Sequence, residues 1–127
     1  MKVLALDYGS ARTGVAVSDP TGTVARPLCV VEGAASEAGL ARLRDLVRDE
    51  EAERVVVGLP LTLRGTRGEQ AVETERFVEG LRAVIEVPVE TFDERFTTSL
   101  AGPGAGEDAR AAAHLLSSYL EWSSHRS

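Results

Sequence analysis

Apolar residues fall along this chain in two rhythms, one of strand length and one with helical spacing. Lys2 to Asp7 (KVLALD) is a nearly continuous apolar run that ends in an acid and then Gly9-Ser10, which predicts a first strand. Thr13 to Ser18 (TGVAVS) predicts a second strand, and Asp19-Pro20-Thr21-Gly22 a turn. Strands joined this tightly are antiparallel neighbours. Val24 to Val31 (VARPLCVV) predicts a third strand, and Pro27, which has no amide hydrogen for a central ladder, assigns it to an edge.

The rhythm then changes. From Ser36 to Glu51 the apolar positions 40, 43, 46 and 47 recur with helical spacing behind Ser36 as a plausible N-cap. Arg54 to Pro60 (RVVVGLP) carries three consecutive valines, the pattern of a strand covered on both faces in a parallel sheet. Glu69 to Ile85 places Ala71, Thr74, Phe77, Val78, Leu81 and Ile85 on one stripe of a second helix. Val87 to Phe92 (VPVETF) predicts a fifth strand, its early proline again suggesting an edge, and a last helix is expected from about Glu107 to Trp122. The order of elements is that of an α/β protein with a mixed five-stranded sheet and helices on both faces, the order found in the ribonuclease H-like fold.

Length and composition narrow this further. At 127 residues and 13.5 kDa the chain is expected to form one domain over 1–127, since chains usually divide only beyond roughly 250 residues. Its 43% apolar and 27% charged residues fit a globular domain and exclude collagen, coiled coil and intrinsic disorder. No apolar run approaches a membrane span, and Asp7 interrupts the N-terminal run too early for a signal peptide. The single cysteine, Cys29, suits a reducing compartment and is expected to be a small core residue, so the expected location is cytoplasmic. The net charge of −6 is the wrong sign for binding nucleic acid through bulk charge. Phosphate recognition would have to use a local arginine cluster or bound cations.

Several acids sit where such cations could bind. Asp7 closes its strand at the carboxyl end, on the face of Val3 and Ala5. It is either a turn residue holding Gly9 and Ser10 or a functional one, because ligands of open α/β sheets bind at that end. Asp108 begins a helical stripe with Ala111, Ala112, Leu115, Leu116, Tyr119 and Leu120, which turns it toward the sheet. Asp93 and Glu94 follow the fifth strand and point to opposite sides, so only one of them can readily join Asp7. Three converging carboxylates repel unless cations lie between them, and an all-oxygen set favours Mg²⁺ or Mn²⁺. Two such ions suit phosphodiester hydrolysis.

Four stretches carry a family resemblance. Asp7-Tyr8-Gly9-Ser10-Ala11-Arg12-Thr13-Gly14-Val15-Ala16 resembles the opening motif of the YqgF/RuvX family, bacterial proteins similar to the Holliday-junction resolvase RuvC. Gly58-Leu59-Pro60 with Gly65 resembles its second motif, Asp93-Glu94-Arg95-Phe96-Thr97-Thr98 its third, and the stretch from Asp108 to Leu116 its last. Together these motifs cover nearly the whole chain. The resemblance implies a ribonuclease H-like fold, a cytoplasmic nuclease trimming the 5′ end of pre-16S rRNA, and Asp7, Glu94 and Asp108 as the acidic, metal-holding triad. The alternatives are Holliday-junction cleavage and a non-catalytic nucleic-acid or ribosome-binding module. The expected partner is nucleic acid, RNA rather than DNA, with ribosomal precursor particles as its setting and a monomer or homodimer as the acting form. The chain departs from the family between Glu94 and Asp108, where Ala101 to Gly106 is short, glycine-rich and without Lys or Arg.

Arg12, Arg64, Arg67, Arg95 and Arg110 lie beside these motifs or in the loop after the fourth strand, and are candidates for phosphate contact. Arg95 could equally pair with Asp93 or Glu94. Tyr8 faces away from Asp7 and is expected to pack. His114 lies on the side of the last helix away from the site, and His125 is in the C-terminal tail. Tyr119 and Trp122 either pack internally or form a dimer contact.

Overall fold

The structure, a computed structural model, describes residues 1–60, 68–93 and 109–124. Within them lie five strands, β1 (Val3–Asp7), β2 (Arg12–Ser18), β3 (Ala25–Glu32), β4 (Arg54–Leu59) and β5 (Val89–Asp93). Three helices accompany them: α1 (Glu37–Asp49), α2 (Glu69–Val84) and α3 (Ala109–Ser124).

The strands form one sheet in the order β3-β2-β1-β4-β5. β1 runs antiparallel to β2 and parallel to β4, β2 antiparallel to β3, and β4 parallel to β5. This is the mixed sheet expected of a ribonuclease H-like fold, and both proline-bearing strands lie at its edges. Pro27 sits opposite Ala16, beside a register shift between Val15 and Ala16, where a missing amide costs the ladder least. Pro88 falls just ahead of β5, and its carbonyl still accepts the Val55 amide at 2.9 Å.

Alternation along the strands divides the core in two. Leu4 and Leu6 of β1, Val15 and Val17 of β2, and Val55 and Val57 of β4 face α1 and α2, where they meet Leu43, Val47, Phe77 and Leu81. Val3, Ala5, Ala16, Val56 and Phe92 face α3, against Ala112, Leu115, Leu116 and Tyr119. Each buried leucine contributes about 1.5–3 kcal/mol of apolar transfer, so burial fixes α3 on the sheet more firmly than helix propensity could. β1 is central and covered on both sides, with Leu4, Ala5 and Leu6 at 0% exposure.

Two details refine the sequence expectations. The buried positions of α3 are Ala109, Ala112, Leu115, Leu116 and Tyr119, while Ala111 and Leu120 are only partly covered at the flanks of the stripe. Cys29 is half-buried on the edge strand rather than in the core, with its thiol pushed up by burial.

A polar lock ties α3 to the far end of the sheet. Arg54 of β4 donates from Nη1 to the Tyr119 hydroxyl at 2.9 Å and to Glu90 Oε1 at 3.4 Å, and the Tyr119 hydroxyl donates to Glu90. Phe92, Tyr119 and Trp122 form an aromatic cluster beside it, with centroid separations of 5.4–5.9 Å. Tyr119 and Trp122 thus pack within the chain, although Trp122 remains 39% exposed.

Candidate functional site

Asp7 is the last residue of the central strand, and its position follows from alternation. With Leu4 and Leu6 committed to α1 and α2, and Val3 and Ala5 to α3, Asp7 falls on the α3 face. It is half-buried. The positions level with it are glycines: Asp7 pairs with Gly14 of β2, and continuing the parallel register one step past Leu6 and Val57 sets it level with Gly58 of β4. The next position across that row is Phe92 of β5, which pairs with Gly58.

The chain beyond Asp7 turns sharply into β2. The turn is held by Thr13, fully buried, whose hydroxyl accepts from the Gly9 amide and donates to the Gly9 carbonyl, both at 3.4 Å. A β carbon on Gly9 would lie 2.4 Å from the Arg12 carbonyl oxygen, so the turn admits only glycine without rearrangement. Thr13 thus ties the two ends of the turn that follows Asp7.

Tyr8 points to the opposite face, as alternation predicts, and stacks on Phe77 of α2 with ring centroids 4.4 Å apart. Its phenol is pushed up to about 12, first by burial and then by hydrogen bonding and charge from the Glu73 carboxylate. The loop after β1 and the first turns of α2 enclose a cleft of about 300 Å³ that Asp7, Tyr8, Ser10, Pro60, Gln70 and Glu73 line. Glu73 and Gln70 were not among the candidates read from the sequence. Glu73 lies one helical turn before Phe77, but that it reaches the tip of β1 follows from how α2 docks, which spacing does not encode.

The other candidates distribute as follows. Asp93 ends β5 on the face of Val89 and Thr91, opposite that of Phe92 and therefore opposite Asp7. Arg12 opens β2, exposed, across from Glu32, at the end of the sheet where Asp7 lies. Arg110 is exposed in the first turn of α3. His114 is exposed, as expected. Glu94, Asp108, Arg64, Arg67, Arg95 and His125 lie outside the described residues. Among the described residues no three His, Cys, Asp or Glu side chains converge as a metal site. Asp7, the one described member of the expected acidic triad, offers only oxygen, which suits a hard divalent cation.

Comparison with known proteins identifies the chain's family and fold. Residues 1–122 match the model of a family described as RuvX, Holliday junction resolvase. The chain is 46% identical over 78% of its length to a "Putative pre-16S rRNA nuclease" of Chloroflexus aggregans, covering 70% of that protein. A protein of the same name from Moorella thermoacetica is 38% identical, with 95% of each chain covered. With the Chloroflexus aurantiacus relative the match spans 65% of that protein's length. Among solved structures, Thermus thermophilus RuvC in complex with a Holliday junction substrate superposes with a TM-score of 0.60 at 19% identity, covering 96% of both chains. The fold is therefore ribonuclease H-like, and by sequence the chain belongs to the RuvX (YqgF) family.

Proposed function

We propose that this protein is a metal-dependent nuclease that hydrolyses phosphodiester bonds, with the 5′ end of pre-16S rRNA as its substrate. The observation that carries this reading is Asp7, held at the carboxyl end of the central strand, between two glycines and at the edge of an open cleft. Curated relatives sharing up to 46% identity carry the corresponding name, which supports the choice of RNA.

Asp7, Glu94 and Asp108 are the proposed metal ligands and catalytic triad. Asp93 shares a face with Val89, on the far side of the sheet from Asp7, which favours Glu94 as the member from this pair. One or two Mg²⁺ or Mn²⁺ ions, when bound, supply a more acidic water and neutralise charge on the phosphate. The rest falls to the chain's own groups. The buried β1 strand fixes the Asp7 carboxylate, and Arg12 and Arg110, with Arg64, Arg67 and Arg95, are proposed to hold phosphates by paired N–H donors, since a net charge of −6 gives no general attraction.

Among the described residues no helix is long and apolar enough to cross a membrane. A single domain over 1–127, working in the cytoplasm on ribosomal precursors, fits this reading.

A cleavage panel tests it, using single-stranded RNA, a pre-16S 5′ leader duplex and a four-way DNA junction, each with Mg²⁺ and with Mn²⁺. Cutting of the leader and no other substrate is the expected result. Cutting of the junction instead would transfer the assignment to resolvase activity. Absence of Mn²⁺ binding at millimolar concentration in calorimetry would point to a non-catalytic module.

A further inference from the structure

We propose that Glu73 is a specificity-determining residue of the cleft, accepting a hydrogen bond from a hydroxyl or amino group of the nucleoside that adjoins the scissile phosphate. This rests on the nuclease reading, because only a nucleic-acid strand bound at Asp7 brings a nucleoside to this wall.

The argument begins with the size and lining of the cleft. At about 300 Å³ it lies at the lower end for ligand sites, on the scale of a single nucleoside. Its α2 wall presents Gln70, Glu73 and Thr74. Thr74 is buried, and its hydroxyl already donates to the Gln70 carbonyl at 2.7 Å, so Glu73 and Gln70 supply the wall's exposed polar ends. Both are exposed.

Glu73 differs from Gln70 in its charge and in its neighbour, Tyr8. Tyr8 is fixed by its stack on Phe77, and the nearby Glu73 carboxylate helps push its phenol up, so the acidic group lies beside a rigid ring. An ionised carboxylate only accepts hydrogen bonds. Glu73 puts a negative group on the α2 wall, and a phosphate placed against it would be repelled. What fits is the uncharged, donor-bearing part of a nucleotide. The ribose 2′-hydroxyl is one such donor and a base amino group the other. The first would let the cleft separate RNA from DNA.

The test is a substrate-by-variant cycle. Binding of a labelled single-stranded RNA is measured by anisotropy in Ca²⁺ for wild type, Glu73→Ala and Tyr8→Phe. The series is repeated with 2′-deoxy strands and with inosine in place of guanosine. Glu73 is exposed, so its removal leaves the core intact. Glu73→Ala is expected to weaken RNA binding about tenfold, as for one hydrogen bond to a charged group. It is also expected to erase the wild-type preference for the donor-bearing strand. Tyr8→Phe is expected to give a smaller loss in the same direction.

If the erased preference is for ribose, the donor is the 2′-hydroxyl, and if it is for guanosine, the donor is the base. A Glu73→Ala effect equal on every strand, or tighter binding throughout, overturns the proposal. So does weakened Mn²⁺ affinity with selectivity unchanged, which would make Glu73 a metal ligand. Selective binding without cleavage of any strand would instead sink the nuclease reading and leave the subsite standing.

Discussion

Asp7 stands directly across from Gly14 in the antiparallel ladder between β1 and β2, so no β carbon lies opposite its own in that pair. Asp7→Asn is expected to abolish cleavage while the melting temperature stays the same or rises, by up to about 1 kcal/mol in stability, because repulsion among the proposed acids is relieved. Thermal unfolding alongside a single-turnover assay checks both halves. An Asn variant that cuts as fast as wild type would remove Asp7 from the mechanism.

Gly9→Ala drives a β carbon to 2.4 Å from a backbone oxygen, which no side-chain rotation can relieve. The turn must shift, at an expected cost of about 1–3 kcal/mol in urea unfolding. Because this turn follows Asp7 directly, cleavage should fall even under conditions where the variant is fully folded.

Tyr119→Phe deletes the hydroxyl that links Glu90 and Arg54. The expected loss is about 1 kcal/mol, and a double-mutant cycle with Glu90→Gln should show coupling of at least about 0.5 kcal/mol. Strict additivity would mean that the lock between α3 and the sheet contributes little in solution.

Asp19 gives the pH dependence. Its carboxylate engages the Thr21 hydroxyl and accepts from the Thr23 and Val24 amides at 2.8 and 2.9 Å, which holds it far below the ordinary value of 3.8. A group depressed in this way stabilises the fold fully above its unfolded value, and the contribution fades as pH falls through the folded one. Asp19→Ala should therefore lie below wild type in urea midpoint at neutral pH. The gap should narrow only in acid, below about pH 4. A gap that is constant down to pH 2 would contradict the assignment.

Much of this architecture was legible because the strands speak a two-residue period. Pro27 and Pro88 marked the edges, the valines of β4 its burial, and alternation set Asp7 and Tyr8 on opposite faces. The face of α3 was less legible, because Ala109, Ala111, Ala112 and Ala113 are all small and apolar, and the pattern cannot say which of them points inward. Glu73 was illegible for another reason. Its meeting with Tyr8 depends on how far α2 slides along the sheet, a matter of core packing. Glu94 and Asp108, named from the motif resemblance, lie outside the described residues.

The placement of β1 in the middle of five strands also bears on which partner moves during recognition. Its amides can exchange with solvent only when ladders on both sides and helices on both faces let go together, so Leu4 through Leu6 should exchange at the rate of global unfolding. The acid at the tip of such a strand is a fixed post, and under the proposed function accommodation is left to the nucleic acid and to the tips of surface side chains.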